Sequence, residues 1–352
     1  MKRLKPDRIV KLLTRAWRIY VMPPKETKIY LDPKNLPVLS HKVASSHTAS
    51  EPKQVCVDST RKRAYVTCMR SQVLQEFSYE NDELTLTHDW SFPEQCVECE
   101  FREGLVYLTT TNFKRGVEQS SHLWLFNPVT GVVVSSVNTQ GEWSKGIAID
   151  EERKLIFVSN WHSNDISVID FSDPVNMKVI QKVKCEEAPR GLALRPDGVI
   201  LATSFYGRKV FAVGKIAGEY KIIKTSEPFD SAGYSGNMRD ILISPDGKII
   251  WVTNLGRNML IWYNAITLSP GGSISIPREP NSMRFMTASN QIIGVSCRKD
   301  GVVCLIDVKT KRPMGISELT EKLPTGLAPI EDGFIVTNFD ANSIELHKVR
   351  YN

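Results

Sequence analysis

Apolar and polar residues alternate in short runs along most of this chain, and the runs come in pairs joined by turn residues. In SPDGKIIWVTN (244–254), Ile249 and Trp251 fall on one face of a strand, and Ile241 and Ile243 alternate in the same way just before it. Pro245-Asp246-Gly247 between them has the composition of a tight turn, so the pattern predicts a hairpin. Copies of the pattern stand at QVCVDSTRKRAYVTC (54–68), GIAIDEERKLIFVSN (146–160), GLALRPDGVILATSF (191–205) and GLAPIEDGFIVTN (326–338), with weaker ones beginning near Cys96 and Met283.

Anchors at Gln54, Cys96, Gly146, Gly191, Asp240, Met283 and Gly326 are 42, 50, 45, 49, 43 and 43 residues apart. Periods of about 40 to 50 residues with four short strands each mark propeller blades. The expected fold is therefore all-β, a seven-bladed β-propeller. Third strands follow each hairpin, as in ISVIDF (166–171), MLIWYN (259–264) and VVCLIDV (302–308). The last repeat has only three strand runs, and an open edge invites mispairing. LPVLSHKVA (36–44) is expected to supply the missing outer strand and close the last blade.

Ahead of the repeats, Ile9, Leu12, Leu13, Ala16 and Tyr20 share a helical stripe, with Lys11, Arg15 and Arg18 toward the other side. A short amphipathic N-terminal helix follows from this. It either packs on the body of the protein or lies on an anionic membrane surface or a protein partner through residues 1–22. The same charges interrupt every apolar run, which excludes a signal peptide or membrane span in this stretch. The domain reading is 1–35, amphipathic helix and connector, then 36–352, the propeller.

The repeats PRGLALRPDG (189–198), KGIAIDEERKLIFVSN (145–160), SPDGKIIWVTN (244–254) and IVTN (335–338) resemble the YVTN family of seven-bladed β-propellers, over roughly residues 50 to 350. Cys68 and Cys297 stand where that family has Asn, and the second repeat is degenerate. The resemblance implies a fold; it does not imply one activity, since such scaffolds host lactonases, lyases, dehydrogenases and plain binders.

The composition, 41% hydrophobic and 24% charged, is that of a chain with a sizeable core. Seven cysteines, an odd number lying mostly in strand-like runs, read as reduced buried thiols in a cytoplasmic protein, with peripheral membrane attachment as the alternative placement. Cys96-x-x-Cys99 lacks the second pair or histidines that would complete a zinc site, and neither a metal nor a cofactor is expected. The net charge of +6 matters only if it is gathered on one face.

In a blade, the residue before the inner strand and the loop after the second strand meet at one mouth of the channel. The first slot reads Lys53, Gln95, Lys145, Arg190, Arg239, Ser282 and Thr325; the loops contribute Arg70, Lys114, Arg115, Trp161, His162, Tyr206, Arg208, Arg257 and Arg298. Acids are scarce, Asp240, Asp300 and Asp340 being those that can be placed nearby. Guanidinium and ammonium groups so gathered call for an anion, and arginine matches phosphate or carboxylate in bidentate fashion. The ligand-binding set is Lys53, Arg70, Lys145, Trp161, Arg190, Tyr206, Arg208, Arg239, Arg257 and Arg298, with aromatic rings for stacking.

Three functional classes fit. The first is a non-enzymatic propeller that binds an anionic small molecule or polymer at a basic mouth. The second is a lactonase-like hydrolase or lyase on an anionic substrate, with His162 as catalytic acid or base and Arg190 and Arg239 orienting the substrate. The third is a scaffold for protein partners. Nucleic acid suits the charges but not a pI of 8.8.

Overall fold

A computed structural model describes residues 31–112, 120–229 and 237–350. The strands follow the repeats. After β1 (Val38–His47), the first unit is β2 to β5 (Pro52–Asp58, Arg63–Cys68, Val73–Ser78, Thr85–Ser91), and the second is β6 to β9 (Gln95–Arg102, Leu105–Thr111, Ser121–Asn127, Val132–Asn138). The third comprises β10 to β13 (Ser144–Asp150, Leu155–Asn160, Asp165–Asp170, Lys178–Lys184), and the fourth β14 to β17 (Pro189–Leu194, Ile200–Ser204, Lys209–Ile216, Glu219–Thr225). The fifth is β18 to β21 (Met238–Ile243, Ile249–Asn254, Met259–Asn264, Pro270–Ser275), and the sixth β22 to β25 (Pro280–Phe285, Ile292–Cys297, Val302–Asp307, Arg312–Ser317). The seventh has three strands, β26 to β28 (Pro324–Ile330, Gly333–Asn338, Ser343–Val349).

The hairpin of 244–254 shows how locally the sequence acts. Gly247 sits at φ +68°, a region that costs a side chain dearly, and its N–H reaches the Ser244 carbonyl at 2.8 Å. Asp246 Oδ1 accepts from the Lys248 N–H at 3.1 Å and from Ser244 Oγ at 2.6 Å, tying off the turn. The register that follows pairs Ile241 with Val252 and Ile243 with Ile250.

The expected seven-bladed propeller with a short helix needs correction. The strands form six sheets: five of four strands, and one of eight in the order β22-β23-β24-β25-β1-β28-β27-β26. The eight-stranded sheet exists because β1 bonds on both sides, antiparallel to β28 from Ser40↔Val349 to His47↔Ser343, and parallel to β25 at Val38↔Ile316. A repeat count cannot see that second bond, which merges two units into one sheet. Among the described residues there is no α-helix, only two 3-10 turns at Pro33–Asn35 and Glu80–Asp82. The helix read from residues 1–22 lies outside the described residues, as do Lys114 and Arg115.

What stands is a propeller-like all-β arrangement of several sheets. Second strands are buried along their whole length, as in β11, whereas an outer strand such as β5 is almost wholly exposed. The core lies between neighbouring sheets: Phe157 and Val168 of the third unit pack with Ile200, Phe211 and Val213 of the fourth. The first strands touch in a circle, β2 to β6, β10, β14, β18, β22, β26 and back to β2, enclosing a central space.

A buried hydroxyl on the second strand ties one unit to the next around six of the seven steps of this circle. Ser159 Oγ accepts the Gly146 N–H within its own unit at 2.9 Å and donates to the Arg190 carbonyl of the next unit at 2.7 Å. Thr67, Thr109, Thr203, Thr253 and Ser296 repeat the pattern, donating to the carbonyls of Val97, Lys145, Arg239, Asn281 and Thr325. This is what the Ser or Thr of the "VTN" pattern does. The strands come so close here that a Cβ on Gly146 would lie 2.4 Å from the Arg190 carbonyl oxygen.

Candidate anion site in the central cavity

The first strand of every unit carries a register shift beside its stapled residue, for example between Ser144 and Ile147 and between Pro189 and Leu192. Such bulges re-aim side chains. Here they turn residues at and just before the staple toward the axis, where a cavity of about 420 Å³ is lined by Glu98, Glu100, Arg190, Arg239, Asp240 and Arg284 among others.

The charges lie in two groups. In the first, Glu98 Oε1 accepts from Lys53 Nζ at 2.5 Å and from Arg190 Nη2 at 3.4 Å, and Glu98 Oε2 accepts from Gln54 Nε2 at 3.2 Å. Lys145 and Arg239 lie close enough for their fields to act on the same cluster. Four cations thus share one carboxylate. In the second group, Arg284 bridges Asp240 at 3.2 Å and Glu100 at 3.5 Å, and positive and negative charge are nearer to balance.

The energetics follow from burial and crowding. Burial, only partly offset by Glu98, brings the Lys53 ammonium down to about 8. Burial, followed by Lys53 and Arg190, holds Lys145 well below the usual lysine value. Burial and then Arg190 and Arg298 bear on Arg239 in the same direction. A guanidinium nevertheless stays charged at any ordinary pH, so its unfavourable energy persists until a counter-charge arrives. For Glu98 burial opposes the charged form, but Lys53, Arg190 and Lys145 outweigh it and keep the carboxylate well below its ordinary range. Arg190 Nε and Asn281 Oδ1 are buried with no hydrogen-bond partner among the described residues, and both residues line the cavity.

The structure brings together Lys53, Lys145, Arg190 and Arg239 from the residues singled out by sequence, with Arg298 near Arg239. An aromatic group adjoins them: Trp161 stacks on His162 and on Tyr206 at centroid distances of 5.2 and 5.7 Å, and the His162 ring meets Trp143 edge-on at 4.5 Å. His162 is placed between indoles and does not line the cavity. Arg208 and Arg257 sit half-buried in the loops after β15 and β19. Arg70 stands apart, 76% exposed beside Glu51.

Two acids of the cavity lining, Glu98 and Glu100, were missed. Counting from Cys96 put Gln95 in the slot of the second unit, but the Glu98 N–H is the one that bonds Thr109 Oγ1, so Val97 and Glu98 are the true equivalents of Lys145 and Gly146. The sixth unit slips similarly, with Asn281 and Ser282 at the level of the staple. Counting back from the buried Thr or Ser of the second strand would have found both slots, and with them Glu98. Elsewhere, Asp300 pairs with Arg278 at 2.6 Å and Asp340 with Lys322 at 3.5 Å. Among the described residues no group of three or more His, Cys, Asp or Glu could hold a metal ion, and no helix is long and apolar enough to cross a membrane. All seven cysteines are free and buried.

No family model matches the chain. It is 27% identical over 247 residues to Antigen Lp49 of Leptospira interrogans serogroup Icterohaemorrhagiae serovar copenhageni (strain Fiocruz L1-130), a match over 65% of this chain and 53% of that protein. The matched stretch thus spans about half the length of this curated relative. The crystal structure of a functionally unknown protein from Desulfotomaculum acetoxidans DSM 771 superposes with a TM-score of 0.64 at 12% identity, covering 82% of this chain and 90% of that one. At that identity the likeness is one of fold. The propeller-like architecture rests on the four-stranded sheets themselves, and the narrower YVTN assignment on the repeat motifs alone.

Proposed function

We propose that the protein is a binding protein for a small anionic ligand, taken up in the central cavity by Arg190 and Arg239, with Lys53 adding its charge from behind Glu98. The observation that carries this reading is the excess of four buried or half-buried cations over one carboxylate, Glu98, in the first charge group. A folded chain tolerates such crowding when a counter-charge is supplied, and arginine supplies the fork geometry that carboxylates and phosphates fit. The unsatisfied Arg190 Nε leaves a donor for that partner. Trp161 and Tyr206 beside the cluster suit a ligand that also has a flat or sugar-like face.

The test is a thermal-shift screen against carboxylates, sugar phosphates and nucleotides, repeated on Arg190→Gln/Arg239→Gln. A ligand that binds only the folded state raises Tm with occupancy. The expected result is a salt-sensitive rise in the native protein that the double variant loses while still melting cooperatively. A rise of equal size in both proteins, or none with any anion, removes the proposal.

A further inference from the structure

Lys145 stands behind the cavity wall, next to Gly146 that lines it, and differs from the other cations of the first charge group in what it touches. The residue is only 3% exposed, and among the described residues it makes no ion pair, because Glu98 is taken by Lys53 and Arg190. Its amine instead lies 4.4 Å from the centre of the Trp143 ring and 5.9 Å from that of Trp161. Its backbone carbonyl is held from the neighbouring unit by Thr109 Oγ1 at 3.3 Å. On one side are indole faces, whose cation–π contact favours the ammonium; against it stand burial and the charges of Lys53, Arg190 and Arg239, which prevail. A lysine desolvated beside other cations is the arrangement that makes an amine nucleophilic at neutral pH.

We propose that Lys145 is a covalent-binding residue that forms an imine with a small carbonyl compound bearing a carboxylate, held by Arg190 and Arg239. The inference rests on the anion-binding reading of the cavity. The amine lone pair attacks the carbonyl carbon to give a carbinolamine. The nitrogen then loses its remaining proton and the carbon its hydroxyl, as one water, leaving a C=N bond. No electron is gained or lost, and water reverses the step. Burial, followed by Lys53 and Arg190, holds the Lys145 ammonium well below its usual value, which supplies free amine where a surface lysine supplies about one part in a thousand near pH 7.5.

The probe is glyoxylate, with sodium cyanoborohydride to reduce any imine to a stable secondary amine. The whole protein is treated at pH 7.5 and the adduct is located by peptide mass mapping. The expected result is labelling at Lys145 at least about tenfold faster than at any surface lysine, since each unit of lowered pKa gives roughly tenfold more free amine. Labelling of that site by acetaldehyde, which lacks the carboxylate, is expected to be slower. Lys145→Arg keeps the charge and is expected to remove the fast phase with no loss of cooperative melting. Label spread over lysines in proportion to exposure, while glyoxylate still raises Tm in the native protein and not in Arg190→Gln/Arg239→Gln, overturns the imine and leaves the anion site standing. No Tm rise with glyoxylate or any other anion, and no fast label, overturns both.

Discussion

Glu98 holds Lys53, Gln54 and Arg190 on its two oxygens, so it occupies part of the space that an anionic ligand's own carboxylate would take. Glu98→Gln is expected to destabilise the protein by roughly 3 kcal/mol, the scale for leaving a buried charge unpaired. Added phosphate or sulfate is expected to restore more Tm to this variant than to the native protein. Equal response of the two proteins would mean that the cations are not the site of the anion effect. Lys53 adds a pH dependence of definite sign. Its folded value of about 8 lies below the ordinary lysine value of about 10.4, so between those limits the unfolded chain holds the proton more firmly. Stability from this group therefore rises with pH from about 8 to about 10.4, by up to about 3 kcal/mol. Lys53→Met is expected to flatten that rise in urea titrations run across the interval.

At the scale of the strands, the stapling hydroxyls are worth more than their size suggests, because each satisfies one backbone group in its own unit and one in the next. Ser159→Ala would orphan the Gly146 N–H and the Arg190 carbonyl together, and a cost of about 1–3 kcal/mol is expected from equilibrium unfolding. A loss below about 0.3 kcal/mol would show that the two groups find other partners. The same elements explain what was legible in the sequence. Turn chemistry and period-2 alternation are local, so the hairpins around Asp246-Gly247 and Asp197-Gly198 could be read directly. The cation slot was legible at Lys53, Lys145, Arg190 and Arg239, where the repeat is clear enough to place the first strand. It was misread in the second and sixth units, whose weaker repeats set the anchors two residues before Glu98 and one after Ser282. Glu98 was lost for that reason, and with it the view of the cavity as a cluster of cations around a carboxylate instead of a bare basic ring.

For the molecule as a whole, closure depends on β1. Its sequence reads as an extended segment, but nothing local says that it will bond β25 as well as β28, so the grouping into six sheets was not legible. The contact with β28 contains a buried polar chain: Ser40 Oγ lies 3.4 Å from His347 Nδ1, His347 Nε2 lies 3.1 Å from Glu345 Oε2, and Lys42 reaches Glu345 Oε1 at 3.1 Å. Burial opposes a charged Glu345, but His347 and Lys42 outweigh it and hold the carboxylate below its ordinary range. A depressed carboxylate contributes stability above the unfolded value near about 4.3, and loses it as pH falls through the folded value. Hydrogen exchange at falling pH is expected to reach β1 and β28 before β10 to β12. Uniform exposure of all sheets would show that the seam is no weaker than the rest.

The partners in that seam are 307 positions apart in the chain. A ribosome makes β1 before any other strand described here, yet the edge it covers does not exist until β28 has emerged. Each molecule therefore passes its synthesis with β1 waiting, and any product broken off before residue 343 lacks the strand that β1 pairs with antiparallel and never joins its sixth and seventh units into one sheet. The last strand works as an inspection stamp. Only a chain read through to the seam has its first and last described strands bonded to one another.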